Sequence, residues 1–544
     1  MFTTLPETAQ DVTRILESKY DSMIASGKFT PFLYPWGSFG AAVVIFYLSK
    51  DHRSSPTLER LRFPIWLFNA LFSIYCVLYT RARNPAAAFG VGLISAWSIL
   101  WTATIVVLRD CQTDFRRIER REKRLDDSTR LNGDAATTTG VDGAARADLS
   151  DGKVTRRSKD VTANGTVGST QAPAQRHGTL AWQSYPKRPM IERLDWVADI
   201  FTNFRGMGWD WRISGLPAPP DFVQRDMSMN ESEPTSSRDT HVSRTGIHRY
   251  HSPGPLLRRQ IYIFIRNYLI LDFLKTLVAH DPYFWGVIGI LDAPSPGYLP
   301  SFLSASPVFV KSTRLLISLA AISYALEFIF SLGPIVFVGI MGPRYIGVRG
   351  EAWMYPDHFG SFDNVLDKGL AGWWGGWWHQ TFRFAFQVPG NKVVEALGWS
   401  ERDARSRLVQ AAVAFSLSGL LHMCGSYTQI GETTPVRGPL CFFLSQIVGV
   451  VLQMGISAAL KKIGAPRWMT RIVNFVYTHV WFYHTAPLLV DDFARGGVWL
   501  FEPVPISIFR GLGLGSKHDG VWQWYGTVAK WHSGKHWWDS GIAL

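Results

Sequence analysis

Cysteine is nearly missing from this chain. Four stand in 544 residues (Cys76, Cys111, Cys424 and Cys441), none in a CxxC pair, so neither a disulfide framework nor a metal site of thiolates is expected. The first thirty residues are polar, mixed in charge and without a short apolar core. That pattern is not a cleavable signal peptide, and the first hydrophobic run is expected to stay in the membrane as an anchor. No G-x-S-x-G elbow occurs, which removes the serine-nucleophile route. The glycine-rich stretch 511–517 lacks both Walker spacing and a preceding strand, so a turn is expected there and not a phosphate loop.

Long hydrophobic runs are what the chain has instead. A spanning helix needs about 20 mostly apolar residues, and runs that meet or approach this are 31–48, 63–79, 86–108, 261–279, 315–341, 408–424, 440–460 and 472–490. The expected fold is therefore all-α and polytopic, with about eight transmembrane helices. Aromatic residues make up 14% of the chain, and the mean hydropathy of +0.02 is low only because one long polar stretch dilutes it. A further aromatic run, 370–388, is interrupted by Gly372, Gly375 and Gly376, which favours a re-entrant or interfacial helix.

The net charge is +13. Much of the Lys and Arg falls in 116–124, 153–159 and 187–193, beside hydrophobic helices, so cytoplasmic retention accounts for it more simply than nucleic acid does. The polar stretch divides the chain into a polar N-terminus (1–30), three spans (31–108), a basic cytosolic segment (109–190), an interfacial segment and loop (191–255), a membrane core (256–490) and a tail (491–544). Residues 132–175 have almost no large apolar side chain and are expected to be disordered. Leu194, Trp196, Ile200, Phe201, Phe204, Trp209 and Trp211 fit a segment lying on the membrane surface. A cytosolic polar segment places the N-terminus and tail in the lumen, and leaves the sequons at Asn164 and Asn230 unused.

Two histidines stand in apolar surroundings. His379 follows Trp373, Trp374, Trp377 and Trp378, while His422 lies in the run 408–424 as Ser418-Gly419-Leu420-Leu421-His422. A neutral imidazole at membrane depth is a proton acceptor held away from bulk water, and an ionisable group there is a functional candidate by default. The competing explanations are an aromatic belt for the tryptophans and a helix-to-helix hydrogen bond for His422. His479 and His484 are five apart, on different helix faces, so a shared metal is not expected. Arg266, Asp272 and Lys275 should face the protein interior, with Asp272 and Lys275 partly neutralising one another.

Trp374-Gly375-Gly376-Trp377-Trp378-His379-Gln380 resembles the Phe-Trp-Gly-Arg-Arg-Trp-His-Gln signature of the wax synthase family, and Ser418 to His422 resembles its second histidine motif. Arg193-Leu194-Asp195-Trp196 followed by Arg205-Gly206-Met207-Gly208-Trp209 is similar to the opening segment of the family's fungal branch, which includes acetyltransferases of terpenoid and meroterpenoid biosynthesis. The likeness runs from Arg193 to Val490. Gly376 and Trp377 stand where the signature has two arginines, so any role of those is not carried over. Arg383, one turn after His379, is the candidate for a positive charge.

Wax synthases are similar in turn to membrane-bound O-acyltransferases. The resemblance implies a membrane-embedded reaction chamber, His422 as general base and His379 as its assistant. Trp374, Trp377, Trp378, Gln380, Arg383 and Ser418 are the expected substrate or donor contacts. It further implies acetyl-CoA (an acyl-CoA) as co-substrate with no permanently bound cofactor or metal, a lipophilic terpenoid or meroterpenoid alcohol as acceptor, and residence in the endoplasmic reticulum membrane. Donor phosphates would meet Arg383, Lys392 or the basic turn 344–349. The alternatives are a long-chain acyl-CoA enzyme making wax esters or acylating diacylglycerol, and, in a different class, a transporter. Transport predicts an internal repeat, whereas three spans precede the polar stretch and five follow it without matching motifs.

Overall fold

Proline and asparagine set where the longest helices begin. Pro85 opens helix Pro85–Thr102 while the Asn84 side chain accepts from the backbone N–H groups of Ala86 and Ala87, and Pro307 opens Pro307–Pro334 behind a Ser306 cap. The computed structural model describes residues 6–121, 179–187, 189–228, 241–288, 296–516, 519–524 and 529–544. The stretch 132–175 and both sequons lie outside the described residues.

The described chain is mostly helical. Five helices are long and apolar enough to cross a membrane: Pro56–Tyr79, Pro85–Leu108, Pro307–Gly350, Ala404–Tyr427 and Val436–Lys462. The three other expected spans are helical but differ from that standard. Trp36–Leu48 is short. Pro253–Val278 carries Arg258, Arg259, Arg266, Asp272 and Lys275, and Arg467–Thr485 carries two arginines and two histidines. Three of the charges of Pro253–Val278, those of Arg266, Asp272 and Lys275, find partners, though not the expected ones. Arg266 pairs with Glu327 on the neighbouring span. Asp272 accepts from the backbone of Ile508 (2.6 Å) and from Ser507, while Lys275 meets Glu502 at 3.6 Å. The tail, not the i,i+3 neighbour, therefore satisfies Asp272 and Lys275.

Helix Met190–Thr202 departs from a purely surface position. Trp196, Val197 and Ile200 are fully buried, in one core with Trp101, Trp209 and Leu421, while Ile191 is exposed. The antiparallel pair Arg117–Arg121 and Thr179–Gln183 caps it. Arg117 bonds Asp195 at 2.6 Å and Asp199 at 3.2 Å, which ties the polar segment to the bundle.

Helix Ala404–Tyr427 packs on Pro85–Leu108 through small residues. A Cβ at Gly92 would fall 2.0 Å from the carbonyl oxygen of Cys424, and Thr428 Oγ1 donates to Ala88 O at 2.7 Å while accepting from Gly92 N at 3.2 Å. Close backbone approach plus a hydrogen bond is how helices associate where lipid supplies no hydrophobic drive.

Candidate active site

The interrupted run 370–388 forms two helical pieces, Asp363–Gly372 and Arg383–Ala396, joined by the wide turn Trp373–Trp377 and an extended Trp378. Gly369 has φ +57° and leaves its helix open, and Gln453 fills the gap. The Gln453 amide oxygen accepts from Leu370 N at 2.6 Å, its Nε2 donates to Asn474 Oδ1 at 3.1 Å, and Asn474 donates to Leu366 O at 2.9 Å. Backbone groups freed by the break are thus satisfied by two neighbouring helices, the condition for irregular backbone at membrane depth.

Past the turn, Gln380 donates to the carbonyls of Trp374 (2.9 Å) and Trp378 (2.6 Å). Arg383 donates to Gln380 Oε1 at 2.9 Å and to Gly375 O at 3.2 Å. Both expected contact residues therefore hold the loop that presents His379. Trp374 Nε1 donates to Gln446 Oε1 at 3.3 Å, and Trp377 packs edge-on to Trp373 at 4.3 Å. Lys392 and Arg349, expected near donor phosphates, are engaged by Glu395 (2.8 Å) and by Asp195 and Glu119.

His379 is ringed by aromatic side chains. Trp378 lies 5.3 Å away, Phe382 5.7 Å, Phe330 5.8 Å and Phe359 6.1 Å between centroids, and its Nδ1 is buried without a hydrogen-bond partner.

His422 donates Nδ1–H to the backbone carbonyl of Ser418 at 2.8 Å. That bond assigns the tautomer and leaves the Nε2 lone pair as the free base. The ring packs on Phe443 at 4.4 Å and Phe89 at 6.3 Å. Gly419 makes room for this, since its Cβ would lie 3.3 Å from that of Phe443. One aromatic wall joins the two imidazoles: His422 touches Phe443, Phe443 meets Trp374 at 5.9 Å, Trp374 meets Trp378 at 6.2 Å, and Trp378 adjoins His379. His479 instead bonds its own helix at Phe475 O, 2.8 Å away, and His484 lines an open apolar groove between helices Cys441–Lys462 and Arg467–Thr485. Among the described residues, no three of His, Cys, Asp and Glu gather into a metal-holding group.

A third imidazole was not singled out by the sequence. His358 stacks on Phe330 at 4.1 Å, and burial, with Arg205 and His379 adding to it, holds it well below the usual histidine range. It lies 21 positions before His379 with no spacing rule to connect them, so only the folded chain brings the two together.

Comparison with known proteins bears on this site directly. Residues 355–445 match the membrane bound O-acyl transferase family. The chain is 24% identical over 313 residues to acetyltransferase aurG of Calcarisporium arbuscula, covering 56% of this chain and 66% of that protein. It is 24% identical to acetyltransferase ple2 of Rhodocybe pseudopiperita (59% and 73% covered) and 23% identical to O-mevalon transferase yanI of Aspergillus niger (55% and 61% covered). The alignment thus spans about two thirds of those proteins' own lengths. No solved structure matches. Residues 355–445, which match the membrane bound O-acyl transferase family, contain both imidazoles, and that match together with the acetyltransferases among the relatives supports an O-acyltransferase-type enzyme.

Proposed function

We propose that the protein transfers an acetyl group from acetyl-CoA to a hydroxyl of a terpenoid or meroterpenoid, in the endoplasmic reticulum membrane. The observation that carries this reading is the fixed tautomer of His422, whose Nε2 is a free base beside an aromatic wall leading to His379. Both imidazoles are packed among aromatic rings and are only partly buried. The short acyl group and the terpenoid acceptor draw on the relatives' names and on the motif likeness.

In this mechanism the acceptor oxygen attacks the thioester carbon while its proton passes to His422 Nε2. His379 donates a ring N–H to the thioester carbonyl as negative charge develops there. The C–S bond breaks, and the coenzyme A thiolate takes the proton back from His422, so atoms and charge balance without a covalent enzyme intermediate. A placed general base contributes about 10² to 10⁴ in rate.

The test is membrane preparations supplied with acetyl-CoA or a long-chain acyl-CoA and a panel of hydroxylated terpenoids and fatty alcohols, read by mass spectrometry. A terpenoid product heavier by one acetyl unit is expected. Products only from long-chain donors and fatty alcohols would replace this reading with the wax-ester one.

A further inference from the structure

The mechanism above leaves His358 unused, yet it is fixed more firmly than a loop residue requires. Arg205, 8% exposed, donates to the carbonyls of Pro356 and Asp357, both at 2.8 Å. Tyr250 OH donates to Asp357 Oδ1 at 3.0 Å, and Asp357 N donates to His248 O at 3.0 Å. Held from these sides, the His358 ring lies flat on Phe330, with 13° between planes. Phe330 in turn presents its edge to His379 at 67°, and Phe359 does so at 79°. Phe330 is itself only half-buried, and although Ser331 beside it is buried, Ile329 and Leu332 on the same helix are exposed. An unbraced ring at 330 could therefore change rotamer and open the wall beside His379; the stack removes that freedom.

We propose that the His358–Phe330 stack is the stop that limits acyl length beside His379, making the donor a short-chain acyl thioester. The inference rests on the acyl-transfer reading, in which the thioester carbonyl meets His379. The methyl of an acetyl group then lies against Phe330 and Phe359, and every further methylene must enter space those rings fill. Interiors packed at this density reject added methylenes.

The full-length protein in nanodiscs is assayed with acetyl-, hexanoyl- and decanoyl-CoA. In Phe330→Ala and His358→Ala the ratio of kcat/KM for decanoyl-CoA to that for acetyl-CoA is expected to rise at least about tenfold. Phe330→Leu, which disturbs packing less, should move the ratio in the same direction for hexanoyl-CoA. His358→Phe keeps the stack and loses the ring nitrogens, so its ratio should stay within about threefold of wild type, and the two alanine changes together should gain little over either alone. An unchanged ratio in Phe330→Leu and the alanine variants, or a His358→Phe variant that behaves like His358→Ala, overturns the proposal. If the wild type uses none of the three thioesters with any acceptor, the acyl-transfer reading fails instead.

Discussion

His422 is oriented by its own helix: the ring donates Nδ1–H to the carbonyl of Ser418, one turn earlier, at 2.8 Å. The Ser418 backbone does this, not its hydroxyl. Ser418→Ala should therefore keep acetylation within about threefold of wild type, while His422→Ala should lower kcat by about 10² to 10⁴ at normal protein level. Comparable losses in both variants would mean that the hydroxyl, and not the tautomer, matters.

Gly92 and Gly90 offer a matched pair. A Cβ at Gly92 meets the Cys424 carbonyl, whereas one at Gly90 meets nothing within 4 Å. Gly92→Ala should cost about 1 to 3 kcal/mol through overpacking and reduce activity by shifting the His422 helix. Gly90→Ala should be near neutral in melting temperature and turnover. Equal tolerance of both would contradict the close helix approach.

Gln453 supports the broken helix that leads to His379. Gln453→Leu strands Leu370 N and the Asn474 side chain, a loss of about 1 to 3 kcal/mol for each unsatisfied buried group. A lowered melting temperature with reduced acetylation is expected, and Gly369→Ala should do the same through its positive φ. A Gln453→Leu protein as stable as wild type would show that the freed backbone finds other partners.

Much of the site was legible before folding. The tryptophan run, the glycine interruption and both histidines stand out by composition, and the wide turn Trp373–Trp377 contains Gly375 and Gly376, whereas the helix break at Gly369 lies outside the glycines that the sequence singled out. The helical runs were equally plain. What the pattern overstated was apolarity: Pro253–Val278 reads as a span until its charges are seen pairing with Glu327, Glu502 and the tail. Those partners are 61 to 236 positions away, beyond any local rule. The Arg205 clamp was hidden for the same reason, since it crosses from the interfacial segment to the residues just before His358.

The helix contact at Gly92 also sets a lower limit on the working unit. Residues 355–445 contain both imidazoles, but Phe89 beside His422 and the surface against Cys424 come from the first quarter of the chain. A fragment cut to the matched region would leave one flank of His422 without its packing partners, so on the proposed mechanism the early spans belong to the working unit as fully as the histidines do.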